Sequence, residues 1–170
     1  MAPKVILIGP MGSGKTTIGS KLASKLGLNF RDTDQIIELN EKRSISDIFL
    51  EDGEESFRVL EKSVLRDELL TDDTVLSLGG GAPISMDAQS ALRAVASYVV
   101  FLDISLAAVS GRIGFNRDRP LLLNNPRGQW QTLMEVRRPI YQSIADISIQ
   151  VDGLSEDEIV SKILQDMGSR

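Results

Sequence analysis

The chain has 170 residues, of which 42% are hydrophobic and 25% are charged, a composition typical of one globular domain. It contains no histidine and no cysteine, which excludes Ser–His and Cys–His catalytic pairs, thiol chemistry and His-ligated zinc. The net charge of −5 argues against a nucleic-acid-binding surface, and no apolar run is long enough to span a membrane.

Apolar runs and helical patterns alternate along the chain in the order β-α-β-α-α-β-α-β-α-α-β-α. The first run begins at Lys4, so we expect no signal peptide. Because helical patterns separate the strands, the strands are predicted to be parallel, in an α/β protein whose ligands bind beyond the strands' carboxyl ends. The predicted strands are Lys4–Ile8, Asn29–Arg31, Thr74–Leu78, Tyr98–Leu102 and Asp146–Val151.

The first strand leads into Gly-Pro-Met-Gly-Ser-Gly-Lys-Thr at residues 9–16, which has the G-x-x-x-x-G-K-[ST] spacing of a phosphate-binding loop. A helical pattern follows it, as this motif requires. The glycines let backbone N–H groups point at a phosphate, and the start of the helix adds its positive end. The pattern predicts that Lys15 reaches the outer phosphates of a nucleotide and that the Thr16 hydroxyl ligates Mg²⁺.

Two carboxylates, Asp32 and Asp34, follow the second strand on the same side as the phosphate loop. Asp32 is a candidate for holding the metal, directly or through water, and Asp34 for accepting the proton of a substrate hydroxyl. Both residues are also good helix N-caps, and capping stays open as the alternative. The two roles are compatible, because one residue can cap while the other acts.

A helical pattern that breaks at Asp52-Gly53 resumes over residues 54–70, where Arg58 is followed three residues later by Glu61. The spacing allows Glu61 to pair with Arg58 and orient it toward a ligand, although most such pairs are solvated surface pairs. The third strand ends in three glycines at residues 79–81, which allow backbone N–H groups to approach a ligand closely. A plain loop is the alternative there.

The fourth strand ends at Asp103, in the manner of a metal-binding Walker B carboxylate, but Asp32 competes for that role and Asp103 also suits a helix cap. From Arg112 to Arg138 the chain carries six arginines against two acidic residues. Gly, Asn and Pro break the helical pattern within this stretch. We expect a lid over about residues 112–128 that closes on phosphates, with Arg119 as its main contact; a surface loop is the alternative.

Together these motifs resemble the shikimate kinase family along nearly the whole chain. The resemblance implies a three-layer P-loop kinase fold with a mobile lid, in which a five-stranded parallel sheet of order 2-3-1-4-5 is flanked by helices. It implies one kinase domain over residues 1–170, with a substrate-binding region at 33–61. The motifs are D-T-D at 32–34, F-R-x-x-E at 57–61, G-G-G-A at 79–82, R-P-L-L at 119–122 and R-x-P-x-Y at 137–141, besides the phosphate loop.

The activity that the resemblance implies is transfer of the γ-phosphate of ATP to the 3-hydroxyl of shikimate, with Mg²⁺, in chorismate and aromatic amino acid biosynthesis. It implies a cytoplasmic monomer whose partners are shikimate and ATP, without nucleic acid or membrane. The implied catalytic residues are Asp34, Lys15 and Arg119, and the metal ligands are Thr16 and Asp32. The implied substrate contacts are Asp34, Arg58, Gly80, Gly81 and Arg137, and the nucleotide contacts are Gly12, Ser13, Gly14, Lys15, Thr16, Thr17, Arg112, Arg119 and Ser155.

Two other functions stay open. A kinase of the same fold can act on another small hydroxy acid, such as gluconate. A non-catalytic relative can use the nucleotide as a switch or scaffold, but it would be expected to lack an acidic residue or an arginine of the site. Asp34, Arg58, Arg119 and Arg137 are all present, which argues against that reading.

Overall fold

The structure is a computed structural model that describes residues 2–113 and 125–170. Within these residues, five strands and seven helices follow one another in the predicted order. The strands are β1 (Val5–Ile8), β2 (Asn29–Asp32), β3 (Thr74–Ser77), β4 (Tyr98–Asp103) and β5 (Ile147–Gln150). The helices are α1 (Lys15–Leu26), α2 (Thr33–Glu41), α3 (Ile45–Glu68), α4 (Met86–Ala94), α5 (Leu106–Ile113), α6 (Pro126–Ile144) and α7 (Glu156–Gly168).

The strands form one sheet in the order β2-β3-β1-β4-β5, and every neighbouring pair is parallel, which confirms the predicted topology. β1 lies in the middle, and its four apolar residues are fully buried, as expected for a parallel strand that is covered on both faces. The chain leaves β1 at the point where the strand order changes direction. The carboxyl edge of the sheet at this switch point is where a ligand is expected.

A second, smaller hydrophobic cluster lies apart from the main core and joins α2 to α3. Its buried members are Ile37, Ile48 and Phe57. Gly53 has φ 86° and ψ 166°, so α3 consists of two helical segments that meet at a kink, and the predicted break at this residue is confirmed. The kink places the second segment, which carries Arg58 and Glu61, beside the carboxyl edge of the sheet.

The predicted lid of about 112–128 is helical at both of its ends. Arg112 belongs to α5, and α6 begins at Pro126, inside the predicted lid. This start has a local cause, because proline is preorganised for the first turn of a helix and the Asn125 side chain accepts a hydrogen bond from Gly128 N. None of the described helices is long and apolar enough to cross a membrane.

Close packing of α1 on the sheet depends on Gly19. A methyl group at this position would overlap the Phe30 ring and come within 3.1 Å of Leu7 Cδ1. We therefore expect Gly19→Ala to lower the free energy of unfolding by about 1–3 kcal/mol, as measured by urea denaturation. The control is Gly168→Ala in α7, where an added Cβ would meet no described atom of another segment within 4 Å. This change should leave the free energy of unfolding unchanged or raise it. Equal stabilities for the two variants would contradict the prediction.

Candidate active site

The phosphate loop follows β1 and has a backbone that only glycines adopt readily. Gly12 and Gly14 have φ of 84° and 96°, in the left-handed region. Gly14 occupies the N-cap of α1, which has no side-chain cap and no acidic residue in its first turn. The first N–H groups of α1 are therefore left for an anion, and the helix dipole favours one there.

Lys15 lies folded over the loop that precedes it. Its Nζ donates to the backbone oxygens of Gly9 at 2.8 Å and Pro10 at 2.9 Å. Ser13 is fully buried, and its hydroxyl donates to Pro10 O at 2.8 Å. These bonds stabilise the curve of the loop and hold the ammonium group against its backbone.

A cavity of about 640 Å³ opens beside the loop, between the start of α1 and the start of α7. Arg112 closes one side, and its Nη1 donates to Ser13 O at 3.3 Å. Ser155 lies on the other side as the N-cap of α7. Six of the predicted nucleotide contacts line this cavity: Gly12, Ser13, Gly14, Thr17, Arg112 and Ser155.

The same cavity has three charged residues that the motifs did not predict. Lys21 lies on α1 and pairs with Glu156 at 2.8 Å and with Asp157 at 3.4 Å. The apolar stripe of α1 indicated which face is buried, but no local pattern indicated that α7 faces Lys21.

Asp32 has one of the two roles that the sequence left open, the N-cap of α2, and its second oxygen lies beside Thr16. Its Oδ1 caps α2 by accepting hydrogen bonds from Asp34 N at 2.9 Å and Gln35 N at 3.1 Å. Its Oδ2 accepts a hydrogen bond from Thr16 Oγ1 at 3.2 Å. A hydroxyl and a carboxylate oxygen at this distance fit Mg²⁺, which takes one or two protein oxygens beside phosphates and water. The described residues contain no group of three or more Asp, Glu, His or Cys placed to hold a metal by themselves.

Asp34 is a buried carboxyl group in an acidic environment. Burial and, to a smaller extent, the charges of Asp32 and Glu61 together raise its pKa to about 7, while Lys15 acts in the opposite direction. Within the described part of the chain, its Oδ1 is buried and has no hydrogen-bond partner. Asp34 is therefore suited to exchange a proton near neutral pH with a group that enters the site.

Arg58 and Arg137 come from α3 and α6 and share one acidic neighbour. Arg58 Nη1 donates to Glu61 Oε1 at 2.7 Å, and Glu61 is only 4% exposed, so this is not the solvated pair that the sequence left open. Burial raises the pKa of Glu61, while Arg58 and Arg137 both lower it. Arg137 is itself 9% exposed. Two guanidinium groups held this way can bind a planar carboxylate from two sides.

The glycines at residues 79–81, which we call the glycine loop, run between these charged groups. A Cβ on Gly79 would overlap the Asp34 carboxylate, and a Cβ on Gly81 would overlap the Arg58 guanidinium group. A Cβ on Gly80 would lie 3.5 Å from Arg137 Nη1. The absence of side chains at Gly79 and Gly81 thus allows Asp34 and Arg58 to pack closely against the backbone, which distinguishes the segment from a plain surface loop.

Asp103 forms an ion pair with Arg138, which the sequence did not indicate. Arg138 Nε donates to its Oδ2 at 3.1 Å, and Nη2 donates to its Oδ1 at 3.2 Å. The cap of α5 is formed by Ser105, whose hydroxyl accepts a hydrogen bond from Ala108 N at 3.2 Å. The prediction that Asp103 caps this helix is therefore wrong. Arg119, the lid residue predicted to contact phosphates, lies outside the described residues.

Two further side chains at the site were missed as functional candidates. Thr33 and Tyr141 are both fully buried and hydrogen-bonded to the glycine loop, at Gly79 and Gly80 respectively. Their positions within the D-T-D and R-x-P-x-Y motifs were the available signal, but the partner of each hydroxyl lies in a distant segment.

A protein-family model described as shikimate kinase matches residues 11–168 of the chain. The shikimate kinase of Streptomyces coelicolor is 42% identical over 163 residues, which cover 96% of this chain and 94% of that protein. The shikimate kinase of Rhodococcus erythropolis is 44% identical over 165 residues, 96% of each chain. The structure of the Acinetobacter baumannii shikimate kinase in complex with shikimate superposes with a TM-score of 0.94 at 34% identity, covering 99% of this chain and 94% of that one.

The raised pKa of Asp34 makes stability depend on pH. A carboxyl group whose pKa is 3.8 when unfolded and about 7 when folded favours the folded state in acid, and that contribution is lost as the pH rises toward 7. Asp34→Asn should therefore be more stable than wild type, and its advantage should grow by about 2–3 kcal/mol between pH 5 and pH 8. Urea unfolding at the two pH values measures this difference.

The control is Asp67→Asn, which alters an exposed carboxylate of α3 that pairs with its neighbour Arg66 at 3.4 Å. Its effect on stability should be similar at both pH values. A pH-independent effect of Asp34→Asn would contradict the proposed ionisation.

Proposed function

The chain belongs to the shikimate kinase family, and on that premise we propose that it transfers the γ-phosphate of ATP to the 3-hydroxyl of shikimate. The products are shikimate 3-phosphate and ADP, in the route to chorismate and the aromatic amino acids. One observation carries the proposal: the Asp34 carboxyl group has a buried oxygen that is unpartnered in the described structure, and it lies near enough to Lys15 of the phosphate loop and to Glu61, the partner of Arg58, for their charges to shift its pKa.

Phosphoryl transfer requires positioning and neutralised charge more than covalent help. The backbone of Gly12, Ser13 and Gly14 and the start of α1 would bind the phosphates, and Lys15 would turn from the Gly9 and Pro10 oxygens to the outer ones. Arg112 and Ser155 would enclose the rest of the nucleotide. Thr16 and Asp32 would hold Mg²⁺, which supplies positive charge to the β- and γ-phosphates when it is bound.

Arg58 and Arg137 would bind the carboxylate of shikimate, with Glu61 holding the Arg58 guanidinium group in place. The backbone of Gly80 and Gly81 would contact the ring. The 3-hydroxyl would then donate a hydrogen bond to Asp34, whose pKa of about 7 lets the carboxylate take up the proton as the phosphoryl group transfers. The ionised form needed for this step increases as the pH rises through 7.

The remaining assignments extend the same proposal. Arg119 would add positive charge to the transferring group from a lid, and residues 33–61 would form the substrate-binding region of a single kinase domain. We also propose that the protein acts as a monomer, as the family resemblance implies. The requirement for ATP supports action in the cytoplasm.

The activity itself is the first test. Purified protein with ATP, Mg²⁺ and shikimate should release ADP in a coupled assay, and removal of the divalent cation with EDTA should abolish the release. Reactions without shikimate, and reactions with gluconate in its place, are the controls. No ADP above the shikimate-free control would refute the proposal, and faster release with gluconate would support the alternative substrate class.

Substitution of two adjacent arginines on α6 tests the proposed binding site for the carboxylate. Arg137→Ala should raise KM for shikimate by about 30- to 160-fold, which corresponds to the loss of about 2–3 kcal/mol from a charge-assisted hydrogen bond. Its effect on KM for ATP should be small. The matched control is Arg138→Ala, which removes the ion pair with Asp103 at 3.1 Å but no proposed substrate contact. Equal effects of both variants on KM for shikimate would contradict the assignment of Arg137.

A further inference from the structure

The glycine loop has no side chains of its own, so packing cannot hold it in place through the loop residues themselves. Backbone freedom is greatest for glycine, and three in succession would leave Gly80 and Gly81 poorly positioned for a substrate. The loop has little space in which to move, because the Asp34 carboxylate packs against Gly79 and the Arg58 guanidinium group packs against Gly81. Something outside the loop must fix it between these two groups.

Two buried hydroxyl groups hold the loop from opposite sides. Thr33 Oγ1 accepts a hydrogen bond from Gly79 N at 2.9 Å, and Tyr141 Oη donates one to Gly80 O at 2.6 Å. Both side chains are fully buried. Such bonds are well defined in a buried setting, where water does not compete for the partners.

Each hydroxyl is itself anchored to a part of the proposed site. Thr33 lies between Asp32 and Asp34 at the start of α2, so its bond ties the glycine loop to both carboxylates. Tyr141 lies one helical turn after Arg137 on α6, and its ring packs against Phe101 of β4 with centroids 5.0 Å apart. Burial raises the pKa of Tyr141 to about 12, so its hydroxyl stays protonated and remains a donor at physiological pH.

We infer that Thr33 and Tyr141 are positioning residues for the acceptor substrate, which set the place of the Gly80 and Gly81 backbone relative to Asp34 and the arginine pair. The inference rests on the proposed function, since it concerns how that substrate is held. Neither hydroxyl is assigned a direct contact with substrate or nucleotide. Their loss should therefore weaken acceptor binding and leave nucleotide binding intact.

The chain supplies matched controls for both residues. Its only other tyrosine, Tyr98, also donates its hydroxyl to a neighbour, Asp166, but begins β4 at the amino edge of the sheet. Thr74 begins β3 at the same edge; it is also buried, and its hydroxyl is bonded to that of Thr71 at 3.2 Å. Tyr141→Phe is therefore compared with Tyr98→Phe, and Thr33→Val with Thr74→Val.

Steady-state kinetics and thermal unfolding are measured for all four variants. Tyr141→Phe and Thr33→Val should each raise KM for shikimate by about three- to tenfold, the equivalent of one buried hydrogen bond, with kcat and KM for ATP near wild-type values. Tyr98→Phe and Thr74→Val should lower Tm without changing KM for shikimate. Thr33→Ser, which keeps the hydroxyl, should restore KM.

The inference is overturned if Tyr141→Phe lowers Tm as its control does but leaves KM for shikimate unchanged, or if KM for ATP rises equally. Tyr141→Phe retains the packed ring and decides the question alone if Thr33→Val does not fold. The wild-type assay distinguishes a failure of the proposed function from a failure of the positioning role. A wild type that releases no ADP with shikimate refutes the proposed function, whereas an active wild type with insensitive variants refutes only the positioning role.

Discussion

The parallel order of the sheet is the constraint on which the whole site depends. Because β1 lies between β3 and β4, and β2 lies beyond β3, the carboxyl ends of β1, β2 and β3 meet at one edge. That edge receives the phosphate loop, the two carboxylates of residues 32–34 and the glycine loop. The candidate site is assembled from all three segments, so it does not exist until the sheet has formed.

The acidic groups at this edge of the sheet lower the stability of the free protein and favour the binding of a ligand. Asp34 is buried beside Asp32 and Glu61, and the described structure leaves one of its oxygens without a hydrogen bond. Such a group costs folding free energy in the free protein. A hydroxyl that donates to it removes part of that cost, and a nucleotide metal nearby would favour its ionised form. The burial that destabilises the free protein therefore strengthens its preference for a bound substrate.

Features that are encoded locally could be predicted from the sequence. The phosphate loop, the helix break at Gly53 and the apolar strands each depend on neighbouring residues, and the structure confirms them. Partners across elements could not be predicted in the same way. Spacing on α3 pairs Arg58 with Glu61, but the second arginine that acts on Glu61, Arg137, comes from the distant helix α6. Asp103 illustrates the limit, because its bond to Arg138 arises from the packing of α6 against β4, which no spacing in the chain encodes.

Because the glycine loop can contact a ligand only through its backbone, neighbouring side chains must hold that backbone in position. A side chain on Gly79 or Gly81 would have to displace the Asp34 carboxylate or the Arg58 guanidinium group, which occupy the space that a Cβ would need. The rigidity of the loop therefore depends on groups that bond to its N–H and carbonyl. Thr33 and Tyr141 bond to it in this way. A contact surface made of backbone alone thus depends on buried hydroxyl groups behind it. Those hydroxyls can hold the loop only where its N–H and carbonyl groups face them.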